Sequence, residues 1–152
     1  MRRRFLQTMI GSGLLLAVQP LPALAGKAPI YTGLLSNAAL EGHDPVAYFT
    51  EGRPVEGSGE HSLRWQGADW YFASVENLEA FRADPERYAP QFGGYCAYGV
   101  AVKNTVRGDP ELWTIHEGRL YVNITQQVQD IWVKDVPGYI AQAEANWPKV
   151  LE

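Results

Sequence analysis

Cysteine is almost absent from this chain: Cys96 is the only one in 152 residues. A lone thiol cannot close an internal disulfide, so the fold must rest on its hydrophobic core. Cations are scarce too, with 13 Lys and Arg against 17 Asp and Glu. Three of those 13 are Arg2, Arg3 and Arg4, which leaves ten basic and 17 acidic residues beyond position 25, a formal charge of −7. That balance argues against a nucleic-acid surface, which needs clustered Lys and Arg. It suits a soluble protein whose surface tolerates cations. No apolar run is long enough to span a bilayer, because Met9 to Val18 is short and broken by Gly11 and Gly13. There is no G-x-S-x-G, no phosphate loop, no internal repeat and no pair of carboxylates at a telling spacing. The three histidines and one cysteine show no i,i+3 or i,i+4 spacing, so a shared metal site would have to come from tertiary folding.

What the chain has is aromatic bulk: five Trp, eight Tyr and five Phe, enough to build a core in one domain of about 125 residues. It also has an export leader. Arg2 to Arg4 form a positive start, Met9 to Val18 an apolar segment, and Ala23-Leu24-Ala25 a small-x-small cleavage site, so cleavage after Ala25 is expected. Arg2-Arg3-Arg4-Phe5-Leu6-Gln7 resembles the twin-arginine export pattern, and a Sec signal with an Arg-rich start is the alternative. Either route is expected to deliver the protein to the periplasm, with no membrane span after cleavage, or tethered there if the leader is left uncleaved. The organisation expected is a leader over 1–25, an extended arm over 26–37 and a domain over 38–148.

Within that domain Ala38 to Glu41 is read as the start of a small strand. Asp44 before Pro45 is a turn or helix start in which the carboxylate caps free N–H groups, and Val46, Tyr48 and Phe49 then face inward. His61–Trp65 and Asp69–Ala73 alternate across a Gln66-Gly67-Ala68 turn and predict a β-hairpin. Ser74 caps a helix with Val75, Leu78 and Phe81 on its buried face, and Asp84-Pro85 ends it. Residues 102–107 are read as strand and turn. Leu112–Ile115 and Leu120–Ile124 predict a second hairpin. Thr125 caps a helix carrying Val128, Ile131 and Trp132, and Pro137 starts a last one with Ile140, Ala143 and Trp147 inward. The fold class is α+β: two hairpins, a central helix and C-terminal helices in one small domain.

The chemistry is concentrated in Gly93-Gly94-Tyr95-Cys96-Ala97-Tyr98-Gly99, where a thiol sits on a glycine-rich, tyrosine-flanked segment. A thiolate there is a soft ligand suited to copper or zinc if an imidazole joins it. It is alternatively a redox thiol, which needs exposure and a depressed pKa, or a buried inert one. His43, beside Asp44, is the second metal-ligand candidate, since the carboxylate could orient its imidazole. His61 and His116 read as solvated. Asp44 and Asp109 read as turn formers before proline. Trp113, Tyr121 and Asn123 could line a pocket with Tyr95 and Tyr98, or fill the core.

Several stretches in one order resemble the YHS-domain family: GHDPVAYF at Gly42–Phe49, WYFAS at Trp70–Ser74, NLEAFRADPERY at Asn77–Tyr88, GGYCAYGVA at Gly93–Ala101, LYVN at Leu120–Asn123, and Ala145–Pro148. The chain is most similar to the exported, stand-alone bacterial branch, in which some members carry selenocysteine. The resemblance implies a heavy-metal association. Where the wider family's pattern has cysteines, however, this chain has Ala47 and Ala73, so those ligands do not carry over. Selenocysteine in place of Cys96 in relatives, also implied, adds weight to a redox role. Three readings stay open: a module that binds a soft metal ion or related small ligand through Cys96, with His43 as a further ligand; a thiol-dependent redox protein with Cys96 as its reactive residue; and a non-catalytic accessory protein. No feature of the sequence names a protein partner.

Overall fold

Two tight reversals set the frame. β1 (Ser58–Trp65) and β2 (Ala68–Phe72) pair antiparallel, with Trp65 opposite Ala68 and Leu63 opposite Trp70. Gln66 and Gly67, between them, are both left-handed (φ 48° and 78°). β3 (Asp109–His116) and β4 (Arg119–Asn123) repeat the arrangement across Glu117 and Gly118 (φ 50° and 75°). Two consecutive residues at positive φ match the right-handed twist of the strands, and glycine holds the second place each time. Each hairpin is its own two-stranded sheet, and each carries an irregularity away from the turn, between Ser58 and Ser62 and between Asp109 and Trp113.

The computed structural model describes residues 26–152. The expected leader and its cleavage site lie outside the described residues. No helix among those described is long and apolar enough to cross a membrane.

Among the described residues six helices connect and cover the hairpins: α1 (Ala47–Thr50), α2 (Val75–Ala83), α3 (Pro85–Tyr88), α4 (Ala97–Ala101), α5 (Gln126–Trp132) and α6 (Val136–Asn146). Local chemistry starts the longer ones. Ser74 accepts from Asn77 N–H, Thr125 from Val128 N–H and Asp135 from Gly138 N–H, at 3.1–3.2 Å. The α+β class is as the sequence implies. Three local readings are corrected. Ala38 to Glu41 is not a strand: Ala39–Gly42 is a short 3-10 turn with Leu40 and Glu41 at φ 51°, and Ala38 alone makes a strand-like bridge, to Asp69. The chain reverses there so that the Gly42 carbonyl can accept from Gly57 N–H (2.8 Å). Val75 is 54% exposed, because the first residue of α2 projects past the end of the core while Leu78 and Phe81 enter it. Residues 102–107 hold no strand, only a turn and a single bridge from Arg107 to Tyr95.

The apolar residues divide between two cores. The first is built on Trp70, Phe72 and Phe81, with Val46, Tyr48, Leu120 and Val122. The second holds Tyr95, Ala97, Val100, Tyr121, Trp132 and Ala143. β4 is the wall between them: Leu120 and Val122 face one side and Tyr121 the other, as strand alternation requires. Residues 26–37 contain no helix or strand but are pinned by three backbone hydrogen bonds. Lys27 N–H donates to Leu151 O, Tyr31 N–H to Gly93 O, and the Asn37 carbonyl accepts from Asp69 N–H, each at 2.8 Å. Ile30 is buried in the first core.

Candidate functional site

Cys96 ends the Gly93-Gly94 bend and begins α4. Its N–H donates to Val106 O (2.9 Å), and its backbone bridges Val122 of β4. The side chain is fully buried. Its sulfur accepts from the Gly99 N–H (3.4 Å), so the thiol is the N-cap of α4, and from Asn123 Nδ2 (3.7 Å). Asn123 lies two residues beyond Tyr121 on β4, so the same alternation aims it at the second core, where it too is fully buried. Among the described residues its Oδ1 has no hydrogen-bond partner, and neither has Trp132 Nε1. An amide places N and O at nearly equivalent positions, so a half-turn of the Asn123 side chain would set Oδ1 to accept from the thiol.

His43 belongs to another neighbourhood. Its Nδ1 lies 3.0 Å from Leu40 O, and its Nε2 lies 3.7 Å from Glu111 Oε1 on β3. No hydrogen bond or ion pair joins it to Cys96, and the two share no partner. Among the described residues no group of three or more His, Cys, Asp and Glu side chains is placed to hold a metal ion. Among the described residues the His61 side chain makes no hydrogen bond or ion pair, and His116 lies 3.9 Å from Glu117 in the hairpin turn. Neither Cys96 nor His43 lines any of the main surface clefts.

Asp44 is fully buried and satisfied from four directions. Oδ1 accepts from Val46 N–H (2.8 Å) and Ala47 N–H (3.4 Å), the start of α1. Oδ2 accepts from Ala73 N–H (2.9 Å) and Asn77 Nδ2 (2.7 Å), which ties the turn to the beginning of α2. This is the capping role expected of Asp44, extended to a second helix 30 residues on. Asn77 carries no sequence signal for that contact. Asp109 accepts from Glu111 N–H (2.9 Å), a local turn bond.

The aromatics do not line one pocket. Trp113 meets Tyr48 edge-on in the first core, with ring centres 5.4 Å apart. Tyr121, Tyr95 and Tyr98 pack in the second, Tyr98 against Tyr139 at 5.1 Å. The Tyr48 hydroxyl donates to Pro110 O at 2.8 Å. Burial, reinforced by the nearby carboxylates of Glu111, Asp109, Asp44 and Glu41, pushes its ionisation well above the ordinary tyrosine value.

Comparison with known proteins bears on one part of this arrangement. Residues 46–92 match the family model of the YHS domain. No curated protein and no solved structure matches the chain. The matched stretch runs from the start of α1 through β1, β2, α2 and α3 to Phe92, and so contains most of the first core. It begins after His43 and ends before Cys96.

Proposed function

The chain carries a YHS domain over residues 46–92, and from that premise we propose that it is a non-catalytic binding module exported to the periplasm, in which Cys96 serves the fold and does not present its sulfur to a substrate. The observation that carries this reading is the state of that sulfur: fully buried, with two N–H groups directed at it. A nucleophilic or redox thiol works as an exposed thiolate. A soft metal ion would have to displace the Gly99 and Asn123 donors and would then find amides, which are poor partners for copper or zinc, instead of imidazole or a second thiolate.

Thiol reactivity tests it. The native protein should react with a disulfide reagent only after denaturant unfolds it, and metal bound to protein purified from the periplasm should be unchanged in Cys96→Ala. Cys96→Ala should cost about 1–2 kcal/mol through loss of the cap and the small void it leaves. Cys96→Ser, whose hydroxyl can accept from Gly99 N–H, should recover most of the cap. Rapid, stoichiometric labelling of the folded protein, or a stoichiometric metal lost with Cys96, would overturn the reading in favour of the redox or soft-metal alternative respectively.

A further inference from the structure

The ten cations of residues 26–152 are not used alike. Five of the six arginines stand against a carboxylate: Arg53 with Glu51, Arg64 with Asp69, Arg82 with Glu79, Arg107 with Glu41 and Arg119 with Glu144. The sixth, Arg87, lies over the Tyr88 ring. None of the four lysines is paired with a carboxylate among the described residues. Three of the four, Lys27, Lys103 and Lys149, line two clefts that share Lys103 and Val150 and have volumes of about 390 and 590 Å³. A chain whose described residues carry a formal charge of −7 thus gathers most of its uncompensated positive charge at one place.

That place is held by backbone and not by flexible side chains alone. Lys103 occupies a left-handed turn (φ 61°) whose N–H donates to Val100 O, and the next N–H, that of Asn104, donates to Gly99 O at 2.8 Å. Asn146, which lines the first cleft, is fixed in place by donating from Nδ2 to Val100 O (2.9 Å) and Ala101 O (3.0 Å). Lys27 is anchored by donating to the carbonyl and hydroxyl of Thr105, which leaves its charge at the cleft wall. Glu152 is the only acidic side chain lining either cleft.

We propose that the joined clefts bounded by Lys27, Lys103 and Lys149 bind a small, multiply charged oxyanion, either a diphosphate or a tricarboxylate. Lysine ammonium groups act as hydrated point charges, so they select charge and not a planar shape. The site does not depend on the role given to Cys96.

Titration calorimetry at low ionic strength, with pyrophosphate and citrate as separate probes, tests it. At least one should bind with one-to-one stoichiometry, and which of them binds more tightly identifies the phosphate or the carboxylate as the natural group. Lys103→Gln and Lys149→Gln should each weaken binding about fivefold, the factor for one charge pair near 4 Å in water. Lys134→Gln, on a lysine that lines neither cleft, should leave affinity unchanged, and Glu152→Gln should strengthen it. Because Lys103 sits in a strained turn, the backbone amide shifts of Asn104 and Thr105 on adding probe to the unaltered protein provide a readout independent of any variant. Failure of both probes to bind, amide shifts elsewhere only, or equal weakening by Lys134→Gln would overturn the proposal.

Discussion

Replacing Asp44 with Asn should be among the most damaging conservative substitutions in the molecule, and the structure says by which route. The carboxylate accepts four N–H donors from the starts of two helices, and all four bonds are 3.4 Å or shorter. If the new amide keeps its oxygen toward Val46 and Ala47, its NH2 meets the Ala73 N–H and Asn77 Nδ2, which are both donors. Asn77 can rotate its own amide and present an oxygen. The Ala73 N–H is fixed by the backbone and cannot. One charge-assisted bond is lost and one shielded donor is orphaned, about 2–4 kcal/mol together. Asp44→Ala orphans all four donors and should cost more, about 4 kcal/mol or above, a large share of the roughly 5–15 kcal/mol typical of a domain. Urea unfolding followed by tryptophan fluorescence reads this well, because Trp65 and Trp70 lie in the core that Asp44 braces, their rings 5.8 Å apart. With a slope of about 1–3 kcal/mol per molar urea, a loss of 3 kcal/mol lowers the midpoint by about 1–3 M. A double-mutant cycle with Asn77→Ala should show coupling of about 1 kcal/mol. An Asp44→Asn protein within about 0.5 kcal/mol of the parent would refute the reasoning, since it would mean that these donors find other partners at no cost.

Alkaline stability should depend on Tyr48. Its folded pKa is raised above the unfolded value of about 10, first by burial and then by the surrounding carboxylates. The stability it contributes is therefore complete below about pH 10 and is lost as pH climbs from there toward the folded value, at about 1.4 kcal/mol per pH unit. Midpoints measured from pH 8 to 11.5 should fall less steeply for Tyr48→Phe than for the parent, and parallel curves would show that the phenol is not held neutral by the fold. Gly99→Ala should destabilise the second core without touching the first, because a Cβ there would stand 2.5 Å from Asn104 O. Gly93→Ala should be worse, since it adds a left-handed alanine (φ 64°) to a collision with Pro29 O. Hydrogen exchange by residue separates the local effect of the first from the wider effect of the second.

Period-two and capping signals carried most of the architecture. The two hairpins were legible because Trp65, Trp70 and Phe72, then Leu120 and Val122, alternate around Gly67 and Gly118, and the caps at Ser74 and Thr125 announce themselves by residue type. What local pattern could not reveal was tertiary. Nothing near Asp44 in the chain names Ala73 or Asn77, and nothing near His43 names Glu111. Val75 fits the helical stripe by spacing but falls at a helix end, where spacing no longer implies burial. The cysteine segment is glycine-rich in sequence, and Gly93 and Gly94 do take positive φ. The bend, however, delivers the sulfur inward to cap α4, because Cys96 N–H and the Gly94 carbonyl are both claimed by the irregular segment leading to β3, through Val106 O and Gly108 N–H.

The position of β4 ties that burial to a consequence for metal binding. Val122 faces the first core while Asn123 turns to the other side and meets the sulfur, so Cys96 is enclosed between α4, which it caps, and β4. Any ion reaching the sulfur must first part α4 from its neighbours. A ligand with higher affinity for an opened chain than for the folded one lowers stability, and one preferring the folded chain raises it. Added zinc should accordingly lower the urea midpoint of the parent protein, or leave it unmoved, and should have no thiol-dependent effect on Cys96→Ser. A Cys96-dependent rise in the midpoint, growing with the logarithm of zinc concentration, would show the opposite order of preference: a folded-state metal site at the sulfur, with the Gly99 and Asn123 donors yielding to the ion.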